Sequence, residues 1–270
     1  MIASIAQINP KFGDVKVNLQ KHYYYTDIAI KNGAHLIVFP EMSLTGYCLR
    51  DLVPELSIGP DFSILKPLLD MSHEIGIVIS FPERTNDFHY YISSAYLYKG
   101  QIIHIHRKIY PPINGMFDDL KDFKRGQEIK TFDLHGFKAG MLICRDIWHM
   151  DTVASLALQG AKIVIAPSAV PLRSIGANGP NIDVFMERTV RGYAEKSSLY
   201  FIFANRVGFE EGICFYGGSK VAGPNGDLIM KMGFLDEEFS IFEISARSIE
   251  RRISILPLEL EQEDTRGKFV

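Results

Sequence analysis

Three residues stand where a chain can do carbonyl chemistry. Cys144 ends the apolar run Ala139-Gly-Met-Leu-Ile-Cys144 and precedes Arg145-Asp-Ile-Trp-His149. That pattern reads as a strand carrying a sulfur to a bend that opens a helix. A helix N-terminus and a neighbouring cation both favour the thiolate, and the backbone N–H groups after such a bend are free to hold an oxyanion. Glu41 closes Leu36-Ile-Val-Phe-Pro-Glu41. Desolvation at an apolar strand end raises a carboxylate pKa and suits it to act as a base. Lys108 follows the strand Gln101 to His106 and opens a proline-containing loop, where a fixed ammonium can stabilise a developing oxyanion. Each residue has a plainer reading: a buried strand-end cysteine, an exposed loop glutamate, and a surface lysine beside Arg107.

The other reactive types form no such pattern. Cys48 and Cys214 read as small packing residues. The eight histidines show no ligand spacing, and Cys144 with His149 lacks the second pair that a zinc site needs. Glycine-rich phosphate-binding motifs are absent, so nucleotide binding has no support. The 29 Lys+Arg against 32 Asp+Glu give a net charge of -3, which leaves no basic excess for nucleic acid. Three cysteines in 270 residues fit a reducing compartment better than a disulfide framework. No signal peptide is read at the N-terminus, and the longest apolar runs are strand-sized, so neither export nor a membrane span is expected and a cytoplasmic location is.

The elements that must position these residues follow from the apolar runs. Strands are predicted at 2–8, 36–39, 77–81, 94–98, 101–106, 130–134, 137–143, 162–166, 199–205, 217–221, 228–231 and 239–244. Helices are predicted at 18–31, from an Asp61 cap to Glu74, at 152–159, and from 181 towards 196. Residues 107–127 read as a long loop. Apolar strands mixed with helices, and hairpins beside crossovers, predict a layered α/β domain with mixed sheets. No composition break divides the chain, so 1–270 reads as one domain, with a charged C-terminal arm from about 246.

Taken together, the three segments resemble the nitrilase, or carbon–nitrogen hydrolase, superfamily. The matching stretches are Phe39-Pro-Glu41-Met-Ser-Leu-Thr-Gly-Tyr47, His106-Arg-Lys108-Ile-Tyr-Pro111 and Leu142-Ile-Cys144-Arg-Asp-Ile-Trp148. The separations also agree, with 67 residues from Glu41 to Lys108 and 36 from Lys108 to Cys144. Ala6-Gln7, Ala204-Asn-Arg-Val-Gly208, Phe215-Tyr-Gly-Gly-Ser219 and Pro224-Asn-Gly226 support the likeness.

The resemblance implies a four-layer αββα sandwich of two mixed sheets, commonly paired as a homodimer or higher homo-oligomer. It implies a Glu41-Lys108-Cys144 triad that cleaves a small linear amide to an acid and ammonia without a cofactor. A nitrilase, an N-carbamoyl hydrolase, or a non-catalytic scaffold are the alternatives. Many members carry a second glutamate after the lysine; here Asp119 falls at that place, with Asp118 competing and a solvated acidic loop as the plain reading. The backbone N–H of Arg145 is the implied oxyanion donor, and Tyr47, Arg145 and Arg173 are the implied substrate contacts. Gly46-Tyr-Cys-Leu-Arg-Asp-Leu52 and Gly115-Met-Phe-Asp-Asp119 resemble the glutaminase domain of glutamine-dependent NAD synthetases. That likeness implies a bias toward a glutamine-like amide, not NAD synthesis. The 181–196 helix and the tail are the elements expected at a dimer interface.

Overall fold

The computed structural model describes residues 1–113, 117–177 and 179–255. Strand β1 (Ile2–Gln7) leads to helix α1 (Val15–Lys31). The Asp14 carboxylate caps that helix by accepting from the Val17 N–H at 3.1 Å, and Gly33, at φ +70°, turns the chain out of it. Then come β2 (Leu36–Val38), α2 (Val53–Leu56), α3 (Lys66–Met71), β3 (Gly76–Arg84), β4 (Tyr90–Tyr98) and β5 (Gln101–Arg107). The second half begins with β6 (Thr131–Leu134), β7 (Phe137–Met141), α4 (Met150–Leu158) and β8 (Ile163–Ser168). The short pair β9 (Ile175–Gly176) and β10 (Gly179–Pro180) precedes α5 (Asn181–Ser197) and β11 (Tyr200–Asn205). The chain closes with β12 (Val207–Glu210), β13 (Ile213–Tyr216), β14 (Lys220–Ala222), β15 (Leu228–Lys231), β16 (Glu238–Glu243) and α6 (Ala246–Ile255).

Two six-stranded sheets result, in the orders β16-β1-β2-β3-β4-β5 and β15-β14-β11-β8-β7-β6. Both are mixed. Strands β1, β2 and β3 run parallel in one, and β7, β8 and β11 in the other. Strand β16 returns from the second half to pair antiparallel with β1, with Ile2 opposite Glu243, and so ties the two halves together.

Side-chain alternation builds the layers. Ala3, Ile5, Leu36 and Val38 face Ile163, Ile165, Tyr200 and Ile202 in a core between the sheets. The alternate residues Ala6, Ile37 and Ile77 face outward and pack with Leu19 and Ala29 of α1 and Leu68 of α3. On the far side, Val164, Phe201 and Phe203 pack with Leu156 of α4 and Met186 and Val190 of α5. The four-layer αββα sandwich is therefore the observed architecture. Its central strands carry apolar residues on both faces, which is why β8 and β11 read as unbroken apolar runs.

Two expectations need correction. Asp61 does not cap a helix: a 3₁₀ turn at Ser63–Leu65 intervenes, and α3 starts where Pro67, which has no N–H to satisfy, fits the first helical turn. The stretch after β11 holds an antiparallel hairpin, β12 and β13, that the apolar pattern did not announce. Of the expected arm, 246–255 form α6, with Ile249 buried against the core between the sheets; residues 256–270 lie outside the described residues. Among the described residues, no helix is long and apolar enough to cross a membrane.

Glu41, Lys108 and Cys144 each lie just past the C-terminal ends of β2, β5 and β7. The β5 exit is clamped by Gly126, whose N–H donates to the Lys108 carbonyl at 2.8 Å. A Cβ on Gly126 would fall 2.1 Å from the Arg107 carbonyl oxygen, a backbone atom with nowhere to move. Gly126→Ala is therefore expected to push the Lys108 segment away and to destabilise the fold by about 1–3 kcal/mol. A urea midpoint equal to the parent protein's would refute this reading.

Candidate active site

The residues singled out in sequence converge. Glu41 is fully buried, Lys108 is 1% exposed and Cys144 is 8% exposed, which disposes of the exposed-loop and surface readings. The Lys108 ammonium donates to Glu41 Oε1 at 2.7 Å, to the Tyr47 hydroxyl at 3.0 Å and to Asp119 Oδ2 at 3.0 Å. Tyr47 in turn donates to Asp119 Oδ2 at 2.7 Å. Asp119 is the acidic residue that reaches the centre from its loop, on a 3₁₀ turn at Asp119–Lys121. Gly115 and Met116 of the same stretch lie outside the described residues.

Cys144 opens a 3₁₀ turn, Cys144–Trp148, that leads into α4, and its φ is +45°. Met42, next to Glu41, has φ +52°. Left-handed backbone at non-glycine residues costs on the order of 1–3 kcal/mol and concentrates at functional sites.

Burial raises the Glu41 carboxyl above its ordinary value, against the lowering effect of Lys108. Burial alone would lower the lysine, but the Glu41 and Asp119 carboxylates outweigh it and hold the ammonium charged above the usual lysine range. For Cys144 the expectation of a resting thiolate is corrected. Burial first, then the adjacent Glu41 carboxylate, push its thiol well above the ordinary value. Lys108 and the Ala169 N–H pull the other way without prevailing. The thiol is thus at rest a protonated group beside a carboxylate that can take its proton.

Two further carboxylates position this centre. Asp146 Oδ1 accepts from the Ile109 and Tyr110 N–H groups at 3.0 and 2.8 Å, and Oδ2 accepts from the Ile143 N–H at 2.9 Å. The His106 ring Nε2 lies 2.9 Å from Oδ2 as well. One buried side chain thereby pins the lysine segment to the cysteine turn. Glu210 on β12 accepts from the Tyr47 and Cys48 N–H groups and is paired with the buried Arg206 at 2.7 Å. Gly46, at φ +83°, is needed there, since a Cβ would come within 2.9 Å of Glu210 Oε2. Asp146 and Arg206 both stood inside quoted motifs. Their roles went unread because the backbone groups they satisfy are set by the tertiary fold. Nothing in the sequence near Glu210 marked it.

A cavity of about 460 Å³ opens above Lys108 and Cys144. Tyr47, Arg145 and Arg173 all line it, as the resemblance led one to expect. Arg145 lies over the Trp148 ring at 4.7 Å, and Arg173 is exposed. On the other side of Tyr47 and Phe117 lies a second cavity of about 540 Å³, which Asp119 lines. Asp146→Ala would strand three backbone N–H groups in two segments and is expected to cost about 3–5 kcal/mol of stability. A loss below about 1 kcal/mol in denaturant unfolding would contradict the pinning role.

A glutamine-dependent NAD(+) synthetase of Thermotoga maritima is 30% identical over 238 residues, 87% of this chain and 40% of that protein. A hydrolase encoded beside pqqF in Pseudomonas protegens is 31% identical over 248 residues, 89% of this chain and 81% of that one. The chain spans 40–45% of the length of the first NAD(+) synthetases it matches. The structure of the Acinetobacter baumannii glutamine-dependent NAD(+) synthetase superposes with a TM-score of 0.82 at 27% identity, covering 92% of this chain and 46% of that one. An amidase of Nesterenkonia sp. AN1 shares the fold with a TM-score of 0.79 at 20% identity, over 96% of this chain and 99% of the amidase. The carbon-nitrogen hydrolase profile matches residues 2–253, and with the sandwich and its converging site already in view, the chain belongs to the carbon–nitrogen hydrolase family of the nitrilase superfamily.

Proposed function

We propose that the protein hydrolyses the C–N bond of a small linear amide to a carboxylic acid and ammonia through a Cys144 thioester. The observation that carries this reading is the Glu41 carboxylate, buried, raised in pKa and held by Lys108 at 2.7 Å beside the Cys144 thiol at the cavity floor. Glu41 takes the thiol proton as the sulfur attacks the amide carbon. The Arg145 N–H and the Lys108 ammonium hold the oxyanion, each such donor being worth about 10²–10³ in rate. Collapse breaks the C–N bond, and Glu41 returns its proton to the leaving ammonia. Glu41 then deprotonates a water that attacks the thioester, and collapse releases the acid and restores the thiol. Asp119 and Tyr47 hold the lysine in place. The relatives named as glutamine-dependent support a linear carboxamide as the substrate. A free-thiol nucleophile suits a reducing cytoplasm.

Ammonia release from a panel of amides, nitriles and ureido acids tests the reading. Amides are expected to be cleaved, with Cys144→Ala and Glu41→Gln each lowering turnover by about 10³-fold or more, and Cys214→Ala leaving it intact. Wild-type turnover in Cys144→Ala would refute the mechanism. Turnover of nitriles or ureido acids alone would transfer the site to the alternative chemistry. Because the base form of Glu41 is required, activity is lost as pH falls through the carboxyl pKa. That acid limb is expected above the 4.5 of an ordinary glutamate, in the direction that burial sets. A pH–kcat/KM profile with its acid limb at or below 4.5 would remove Glu41 as the base.

We also propose a homodimer through the α4–α5 face. Trp148, Met150, Val184 and Phe185 are exposed there, with the Trp148 and Phe185 rings 4.9 Å apart. Light scattering at micromolar concentration is expected to give twice the chain mass, and Phe185→Asp to lower it. A monomer in the parent protein would end the idea.

A further inference from the structure

We infer that the site takes the monoamide of a dicarboxylic acid and disfavours an amide bearing an ammonium group, with the Arg145 and Arg173 guanidiniums clamping the carboxylate. This rests on the amidase reading for which end of the ligand meets Cys144. Both guanidiniums line the cavity over the thiol. Neither makes an ion pair or hydrogen bond among the described residues, although a guanidinium is always charged and offers five donors. Most other arginines and lysines that approach the interior are matched: Arg107 with Glu83, Lys108 with Glu41, Arg206 with Glu210 and Lys220 with Asp183. Two unmatched cations in one cavity leave a demand for an anion.

The surroundings narrow the ligand. The Arg145 guanidinium carbon lies 4.7 Å from the Trp148 ring centroid, a contact that consumes none of its N–H donors, and a guanidinium can take a carboxylate in bidentate fashion. Pro112, Phe117, Val170 and Ile182 supply apolar wall for a short methylene chain between the two ends. No aspartate or glutamate among the described residues lines this cavity. The Asp119 carboxylate is engaged by Lys108 and Tyr47 and borders the neighbouring cavity. An ammonium beside the carboxylate would therefore face two cations with no anion to receive it. A cavity of about 460 Å³ suits a ligand of this size.

The test compares ammonia release from glutaramate, its neutral isostere pentanamide, the cation 5-aminopentanamide and the zwitterion glutamine, on the full chain. Glutaramate is expected to exceed pentanamide about 10²-fold in kcat/KM and to exceed glutamine as well. Arg145→Ala and Arg173→Ala are each expected to shrink the glutaramate-to-pentanamide ratio about tenfold or more. That ratio is taken on one sample, so a partly misfolded variant does not distort it. Arg173→Glu is expected to move preference toward 5-aminopentanamide. Equal rates on glutaramate and pentanamide, faster cleavage of glutamine, or a ratio that neither substitution moves would overturn the inference and leave the amidase reading standing. Should no amide turn over, calorimetric titration of glutaramate into Cys144→Ala decides. Binding that disappears with Arg173→Ala sustains the carboxylate clamp while the amidase reading falls; no binding overturns both.

Discussion

A primary ammonium that is 1% exposed is tolerable only when each of its three N–H groups meets an acceptor. Lys108 satisfies that condition with Glu41, Tyr47 and Asp119, and the three acceptors come from three different segments of the chain. The exit of β2, the turn carrying Tyr47, the exit of β5 and the Asp119 turn are thereby held against one another at one point. The reverse dependence is as strong. Without the ammonium, two carboxylates would share a dry pocket, which is the arrangement that like charges oppose most. The geometry of the site is thus a condition of the fold in this region and not an addition to it.

Asp146 and Glu210 do for the backbone what Lys108 does for side chains. Loops at a strand edge expose N–H groups that no ladder receives. Here two buried carboxylates accept at least five of them, and the loops that carry Lys108, Cys144 and Tyr47 acquire fixed positions. The cost of burying Glu210 is offset by Arg206, which itself lies against the Phe215 ring at 4.2 Å. This is the reason an arginine can sit fully buried just past β11.

What was legible in the sequence divides along physical lines. The layered α/β class was readable because burial on both faces leaves unbroken apolar runs at 163–166 and 199–204, and because turns carry their own residues, as at Asn32-Gly33; its form as a four-layer sandwich came from the family likeness. The helix expected from Asp61 was misplaced because a good capping residue competes with a proline six positions later, and the proline's constraint is the harder one. Glu41, Lys108 and Cys144 were findable from strand-end placement together with the family likeness. Asp119 could not be separated from Asp118, since which of two adjacent acids points inward depends on Lys108 some distance away. The resting state of the thiol was misread because a nearby helix start and a cation are visible in sequence, whereas burial and the Glu41 carboxylate are products of the fold.

The charge count of the centre explains how a saturated lysine can still serve the chemistry proposed. One ammonium and two carboxylates leave a net negative charge in a dry site, and burial first, then the Glu41 carboxylate, keeps a proton on Cys144. Passing this proton to Glu41 creates no additional charge; it moves the existing one from oxygen to sulfur and then, as the sulfur attacks, to the carbonyl oxygen. The same transfer neutralises the acceptor that holds Lys108 most closely, at 2.7 Å. A neutral carboxylic acid attracts an ammonium far less than a carboxylate does. The N–H aimed at Glu41 is therefore released toward the developing oxyanion at the moment that oxyanion forms, while Tyr47 and Asp119 keep the lysine from following. On this account the ion pair at rest stores the donor, and the proton transfer itself delivers it.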